Sequence, residues 1–249
     1  MSSPTRVSTF VFLTISCVFW IDCSSDNGVV DPSNNVSNTN FTAEQSFSFR
    51  EHVTAQSQLQ LDAINGTVTI TGTTASDSLI ITGERRVRSE SVADAQANLQ
   101  NLEVNVQNLA NEVSVKTVQP DQANGRVYQV DYRITLPMTF AVLVKSINGD
   151  VTVDSVTSTV VVNHVNGTVF LEDVVGNTTV TLENGRIESE VTIPQNGTID
   201  MRVTNGNLGL DIPVNTSANF SARVTNGTIG MSNLVLENPV SSATFLGGR

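Results

Sequence analysis

Cysteine is nearly missing from this 249-residue sequence: Cys17 and Cys23 are its two thiols, and both lie near the N-terminus. The chain beyond them can hold neither a disulfide nor a thiolate zinc site. Positive charge is also scarce, with 13 Lys and Arg against 24 Asp and Glu for a net charge of −11. Such a surface repels phosphate, which excludes nucleic acid as a partner. The dense basic run, Arg85, Arg86 and Arg88, reads as a solvated strand edge rather than a ligand patch. Past Ile21 no apolar run comes near the length of a transmembrane helix. Motifs for nucleophilic catalysis, phosphate binding and metal ligation are missing as well, and the spacing of calcium-binding repeats is absent. The histidines, His52 and His164, stand far apart, and His164 is expected at a solvated position just before a turn. No catalytic residue, cofactor site or metal site is assigned, and the chain is read as a non-enzyme.

Aromatic residues at 5% and charged residues at 15% are both low, while Val, Thr, Asn and Gly recur throughout. That bias belongs to strands and tight turns, and 39% apolar residues can build a core. The first residues carry Arg6, then the apolar stretch Val7 to Ile21, then Asp22, which is the profile of a signal peptide over residues 1–22. Cys23, followed by Ser24, Ser25, Asp26, Asn27 and Gly28, is the expected acylation site of a bacterial lipoprotein. Cys17 is the alternative, since Ser16 precedes it more conventionally than Asp22 precedes Cys23, and simple secretion is the other outcome. Residues 23–45 read as a flexible tether rich in Asn, Ser and Thr.

The repeat is the strongest signal. Asn-Gly pairs stand at Asn148, Asn166, Asn184, Asn205 and Asn226, spaced by 18, 18, 21 and 21 residues. Halving each interval gives units of nine or twelve residues from Ala141 onward. Their second positions are apolar except Thr178, and their fourth positions are apolar except Ser189. Alternation of this kind marks one short strand per unit with one face buried. Asn-Gly is expected to close every second unit because both residues tolerate positive φ. The asparagines then fall in one column, where their amides can bond along a stack. Two architectures produce this pattern: an antiparallel meander with Asn-Gly hairpins, and a solenoid of two-strand coils. Nearly constant unit length and the recurrence of one turn type at every second corner favour the solenoid, with a stack of roughly 24 Å for five coils at about 4.8 Å each.

Upstream, Leu59, Leu61, Val68 and Ile70 flank a further Asn65-Gly66 turn, so the same sheet system begins near Phe47. Within about 90–103, Val92, Ala95, Leu99 and Leu102 recur at helical spacing behind Ser89 or Ser91 as a cap. This short amphipathic helix is expected to cover an open end or edge of the sheet. The expected fold is all-β, a β-solenoid with one short helix inserted, forming one domain over 46–249 with regular repeats over 141–236.

In order, INGTVTITG (64–72), a helix, VDYRITLP (130–137), AVLVKSINGDVTV (141–153) and the turns VNGTV (165–169) and TNGTI (225–229) resemble the putative-adhesin family of bacterial envelope proteins. The resemblance runs from Phe47 to the C-terminus. It implies a right-handed β-helical body displayed at the cell envelope and no established reaction. Envelope glycans or surface proteins are the implied partners, with envelope-stress sensing or scaffolding as another role. Relatives close with a further turn and strand where this chain has SSATFLGGR (241–249), so the last coil is expected to be incomplete.

Outward positions separate two faces. One carries Asp154, Glu172, Glu188, Glu190 and Asp211; the other carries Lys145, Arg202, Arg223 and Asp200. An acidic ladder is either a solubilising surface or, as in polysaccharide-acting β-helix enzymes, a substrate or cation site. The Asn-x-Thr sequons at Asn65, Asn166, Asn196 and Asn226 read as turn chemistry rather than glycosylation sites.

Overall fold

The computed structural model describes residues 40–74, 77–195, 197–213, 219–231, 240–242 and 245–248. The segment read as a signal peptide, Cys17, Cys23 and Asn196 lie outside them. The described chain is all-β with one helix. It runs through β1 (Phe41–His52), β2 (Gln58–Asp62), β3 (Val68–Thr73), β4 (Ser78–Ser89), α1 (Val92–Leu99), β5 (Glu103–Asn108), β6 (Glu112–Val118) and β7 (Val127–Pro137). It continues through β8 (Ala141–Asn148), β9 (Val151–Asp154), β10 (Val160–Val175), β11 (Thr178–Thr192), β12 (Thr198–Asp211), β13 (Asn219–Met231), β14 (Val240–Ser242) and β15 (Phe245–Gly248). All of these strands belong to one 15-stranded sheet.

The repeat region pairs in parallel, which removes the antiparallel meander. Val160 stands beside Thr178, Thr178 beside Ile199 and Thr198 beside Asn219, so each strand is displaced from the last by one repeat. Strands β10 to β13 do not stop at Asn-Gly. Each bends there and supplies a rung to two ladders, one from the residues before the corner and one from those after it. The first ladder continues upstream through β8, β2, β6 and β5, and the second through β9, β3, β7, β4 and β1.

Chain order and stacking order differ at one place. The β2–β3 pair lies between β6–β7 on one side and β8–β9 on the other, with Leu59 beside both Val113 and Val142, and Val68 beside both Tyr132 and Val151. Residues 78–137 therefore leave the stack, build its upstream end and return. Asn65 thereby joins the asparagine column next to Asn148.

The corner has a different cause from the one expected. Only its glycine is left-handed: Gly149, Gly167, Gly185, Gly206 and Gly227 have φ between 115° and 147°, whereas the preceding asparagines do not have positive φ. A Cβ at Gly206 would lie 1.7 Å from the Gly185 carbonyl oxygen, so the close approach of successive corners also forbids a side chain. Asparagine is there for its amide. Asn226 donates to Asn205 (2.7 Å), Asn205 to Asn184 (2.8 Å), Asn184 to Asn166 (2.9 Å), Asn166 to Asn148 (2.9 Å) and Asn148 to Asn65 (2.6 Å). The run ends where Asn65 donates to the Tyr128 carbonyl at 2.9 Å.

The core forms in columns between the ladders. Val115, Leu61, Val144, Val162, Val180, Met201 and Ala222 follow one another across the first ladder, all buried. Tyr132, Val68, Val151, Val169, Ile187 and Leu208 do so across the second. The two polar exceptions are buried and bonded: Thr178 Oγ1 donates to Gly176 O (3.4 Å) and Ser189 Oγ to Gly209 O (3.0 Å).

At the upstream end α1 packs on β1 and β4, burying Ala95 and seating Leu99 against the core. The helix is shorter than the sequence pattern indicated, and its start is held by Ser91, whose Oγ accepts from Asp94 N at 3.1 Å. Strand β1 begins at Phe41, inside the segment read as tether, because it pairs with β4 over its whole length. The basic run is also not at an edge, since β4 is flanked by β1 and β7. Arg86 bonds Glu44 (2.5 Å), Glu84 (3.0 Å) and Asp131 (3.5 Å), and Arg85 donates to Leu102 O at 2.6 Å. At the other end the chain turns back, and β15 pairs antiparallel with Phe220 to Arg223 of β13.

Candidate functional site

The alternation that buries positions two and four points positions three and five outward. On the first ladder this places Lys145, Arg202 and Arg223 at the surface. Arg202 pairs with Asp200 at 2.6 Å, and Arg223 stacks its guanidinium over the Phe245 ring at 5.4 Å. The cationic groups on these two coils are thus partnered within the protein.

The second ladder differs. Its position-three column reads Thr69, Thr152, Phe170, Glu188, Gly209 and Gly230. In the position-five column Asp154 stands beside Glu172, and Glu190 beside Asp211. Between Leu171 and Val174 the register shifts by one residue, with Asp173 in the left-handed region at φ 49°, so the strand bulges next to Glu172. A shallow, open groove of about 550 Å3 lies over these columns. Phe170 stands at one end, Gly209 and Gly230 form the floor with Leu171, Ser189 and Leu210, and Glu172, Glu188, Glu190 and Asp211 line it.

The two floor glycines are unlike the corner glycines. Neither has positive φ, and a Cβ at Gly209 or Gly230 would meet only a carbonyl oxygen at 3.8 or 4.0 Å, ordinary contact. The fold therefore has room for a side chain at both positions. Glycine within a strand costs about 0.5–1 kcal/mol relative to alanine, and an unforced one marks a place where something lies close to the backbone. Most of the lining carboxylates also lack an internal partner among the described residues. Among the described residues Glu188 bonds Arg186, while Glu172, Glu190 and Asp211 make no side-chain hydrogen bond or ion pair. The five acids singled out in the sequence do share one face. The groove and its floor were not read, although glycine at outward strand positions in NLGLD (207–211) and TIGM (228–231) was the available signal.

His164 corrects the sequence reading. It is 2% exposed, in an inward column between Ser146 and Leu182, and not at the surface. Its Nδ1 lies 3.2 Å from Ser146 O and its Nε2 lies 2.8 Å from Gly149 O. The ring acts as a spacer behind the corner, and in its neutral form the one protonated nitrogen donates to one of these two carbonyls. His52 is exposed, 3.7 Å from Asp77. Among the described residues no group of three or more His, Cys, Asp or Glu is arranged to hold a metal ion, and no helix is long and apolar enough to cross a membrane.

No protein-family model matches the chain, and no curated protein matches it. Among solved structures it is similar to a "putative cell adhesion protein" from Clostridium sporogenes, at 10% identity over 83% of this chain and 88% of that one, with a TM-score of 0.40. It is also similar to a "putative adhesin" from Bacteroides fragilis, at 13% identity over 74% and 95% with a TM-score of 0.33. A third, from Parabacteroides merdae, aligns at 12% identity over 78% and 96% with a TM-score of 0.23. No residue role is taken from them.

Proposed function

We propose that this chain is an exported, adhesin-like envelope protein, acylated at Cys23, whose body is a right-handed β-solenoid presenting a non-enzymatic binding face. The observation that carries the reading is the groove floored by Gly209 and Gly230, which the fold leaves open without needing to. A flat sheet face with unpaired carboxylates suits contact with an extended partner. An acid–base reaction on polysaccharide requires carboxylates converging from two sides of one bond. The acids here run along one outward face, Asp154, Glu172, Glu190 and Asp211 at position five and Glu188 in the column beside them, which supports binding over turnover. Envelope glycans and surface proteins are the candidate partners.

Two measurements test the reading. Radiolabelled palmitate should enter the wild-type protein and not Cys23→Ala, and label retained in that variant would remove the anchor assignment. The full chain should bind isolated envelope glycan saturably without degrading it, and Gly209→Val, which fills the groove, should abolish the binding. Release of reducing or unsaturated ends that depends on Glu188 and Glu190 would replace binding with catalysis.

A further inference from the structure

The groove has a shape and a charge that narrow its occupant. Its floor is a slender strip of backbone at Gly209 and Gly230, with the partly exposed Phe170 ring standing at one end, while Leu171 and Leu210 turn their side chains into the core. A planar, weakly polar face lies against such a surface; a bulky side chain does not. Carbohydrate rings have such faces, and their C–H groups pack on aromatic rings. The walls add negative charge, of which only that of Glu188 is paired with a cation, Arg186, among the described residues. Glu190 and Asp211 occupy neighbouring strands and are unpaired among the described residues, as is Glu172 beside the bulge. Neighbouring strands lie about 4.8 Å apart, a separation comparable to the rise per sugar of an extended glycan chain. Neutral sugars need hydrogen-bond donors as well as acceptors, but the side chains at this rim, carboxylates with net charge −11 behind them, offer acceptors. Anionic polysaccharide would be repelled.

We infer that the groove binds an oligosaccharide carrying free amino groups. The sugar rings lie over Gly209 and Gly230, one ring packs against Phe170, and protonated amines pair with Glu190, Asp211 and Glu172. The inference rests on the proposed binding role and supplies the chemistry of its partner. It also accounts for the unpaired carboxylates, since charge-assisted hydrogen bonds to an ammonium group use them fully.

The test is calorimetric titration of the full chain with a glucosamine hexamer, its fully N-acetylated counterpart and an acidic galacturonate hexamer. The amino form should bind saturably, and the other two should not. Each of Glu190→Gln and Asp211→Asn should weaken it roughly tenfold. Gly209→Val should abolish binding while melting no lower than wild type, which separates a blocked groove from a damaged fold. Equal binding of the acetylated hexamer would overturn the charge assignment, and binding unaffected by Gly209→Val would reduce it to diffuse attraction by an acidic surface. Envelope-glycan binding lost in Gly209→Val together with no binding of the amino hexamer would sink the ligand class and leave the binding face standing. Envelope-glycan binding untouched by Gly209→Val would remove the face itself.

Discussion

Glycine occupies two chemically distinct kinds of place in the repeats, and they respond oppositely to the same substitution. At Gly206 a methyl group would meet the Gly185 carbonyl at 1.7 Å with φ at 144°. Gly206→Ala should cost at least ~1–3 kcal/mol from the backbone conformation alone. At Gly209, three residues on, the same change meets only an ordinary contact with the Ile187 carbonyl oxygen at 3.8 Å and should stabilise by about 0.5–1 kcal/mol, chiefly by restricting the unfolded chain. Urea denaturation of the two variants checks this, and a loss at Gly209 like that at Gly206 would mean the groove floor is structurally required. Asparagine beside the corner glycine was legible in sequence as a turn residue, but its working part is the side-chain amide. Local pattern could not distinguish a residue chosen for its dihedral angle from one chosen for its hydrogen bonds. His164 was misread for a related reason: position six is inward in the first ladder, where Ser146, Leu182, Val203 and Val224 share its column, and the two polar residues of that column, Ser146 and His164, masked the periodicity.

At the scale of elements, α1 is tied to the sheet by one carboxylate. Asp94 sits in the first turn, accepts both Arg126 Nε and an Arg126 terminal nitrogen at 2.6 Å, and also bonds Ser89. The Arg126 guanidinium, helped by the Ser89 hydroxyl, lowers its pKa from 3.8 to about 2. A carboxyl group depressed in the folded state stabilises that state above its unfolded pKa, and the contribution disappears as pH falls from about 4 to about 2. Thermal melts across that interval should therefore show a steeper decline for wild type than for Asp94→Asn. Identical slopes would show that this pair does not secure the helix. The helix and its covering role were legible from apolar spacing and a Ser cap. Its partner Arg126 was not, because Arg126 and Asp94 are brought together by the return of β7 beside β4, a pairing with no local signature.

At the scale of the molecule, the inward columns were legible almost residue by residue, since a two-residue period depends only on the strand itself. Stacking order was legible only where it follows chain order. The placement of β2–β3 between β7 and β9 escaped, because similar Val- and Ile-rich strands compete for the same neighbours and only the assembled stack decides among them. Asn65-Gly66 carried the clue, being the same corner as Asn148-Gly149 one coil away. Strands paired over such separations make the sheet collective: no single repeat buries its own core, and each Asn-Gly corner is positioned by the one paired beside it.

That dependence gives the asparagine column a chemical lifetime. Asn-Gly is the dipeptide most prone to spontaneous deamidation, in which the glycine nitrogen attacks the asparagine side chain to form a cyclic imide. In the column each amide is held by its neighbour, and the attacking nitrogen is occupied too: Gly66 N donates to Asn148 O at 3.0 Å and Gly149 N to Asn166 O at 3.1 Å. Asn124-Gly125 provides an internal comparison, an exposed turn outside the column with both residues at positive φ. Peptide mapping of protein aged at mildly alkaline pH should find conversion at Asn124 well ahead of Asn148, Asn166, Asn184 and Asn205, and the order should vanish in urea. Equal rates in the folded protein would mean the column is not held closed. If it is, each asparagine acts as a clock that runs only while its coil is open, and the pattern of converted residues in aged protein records where the stack has frayed.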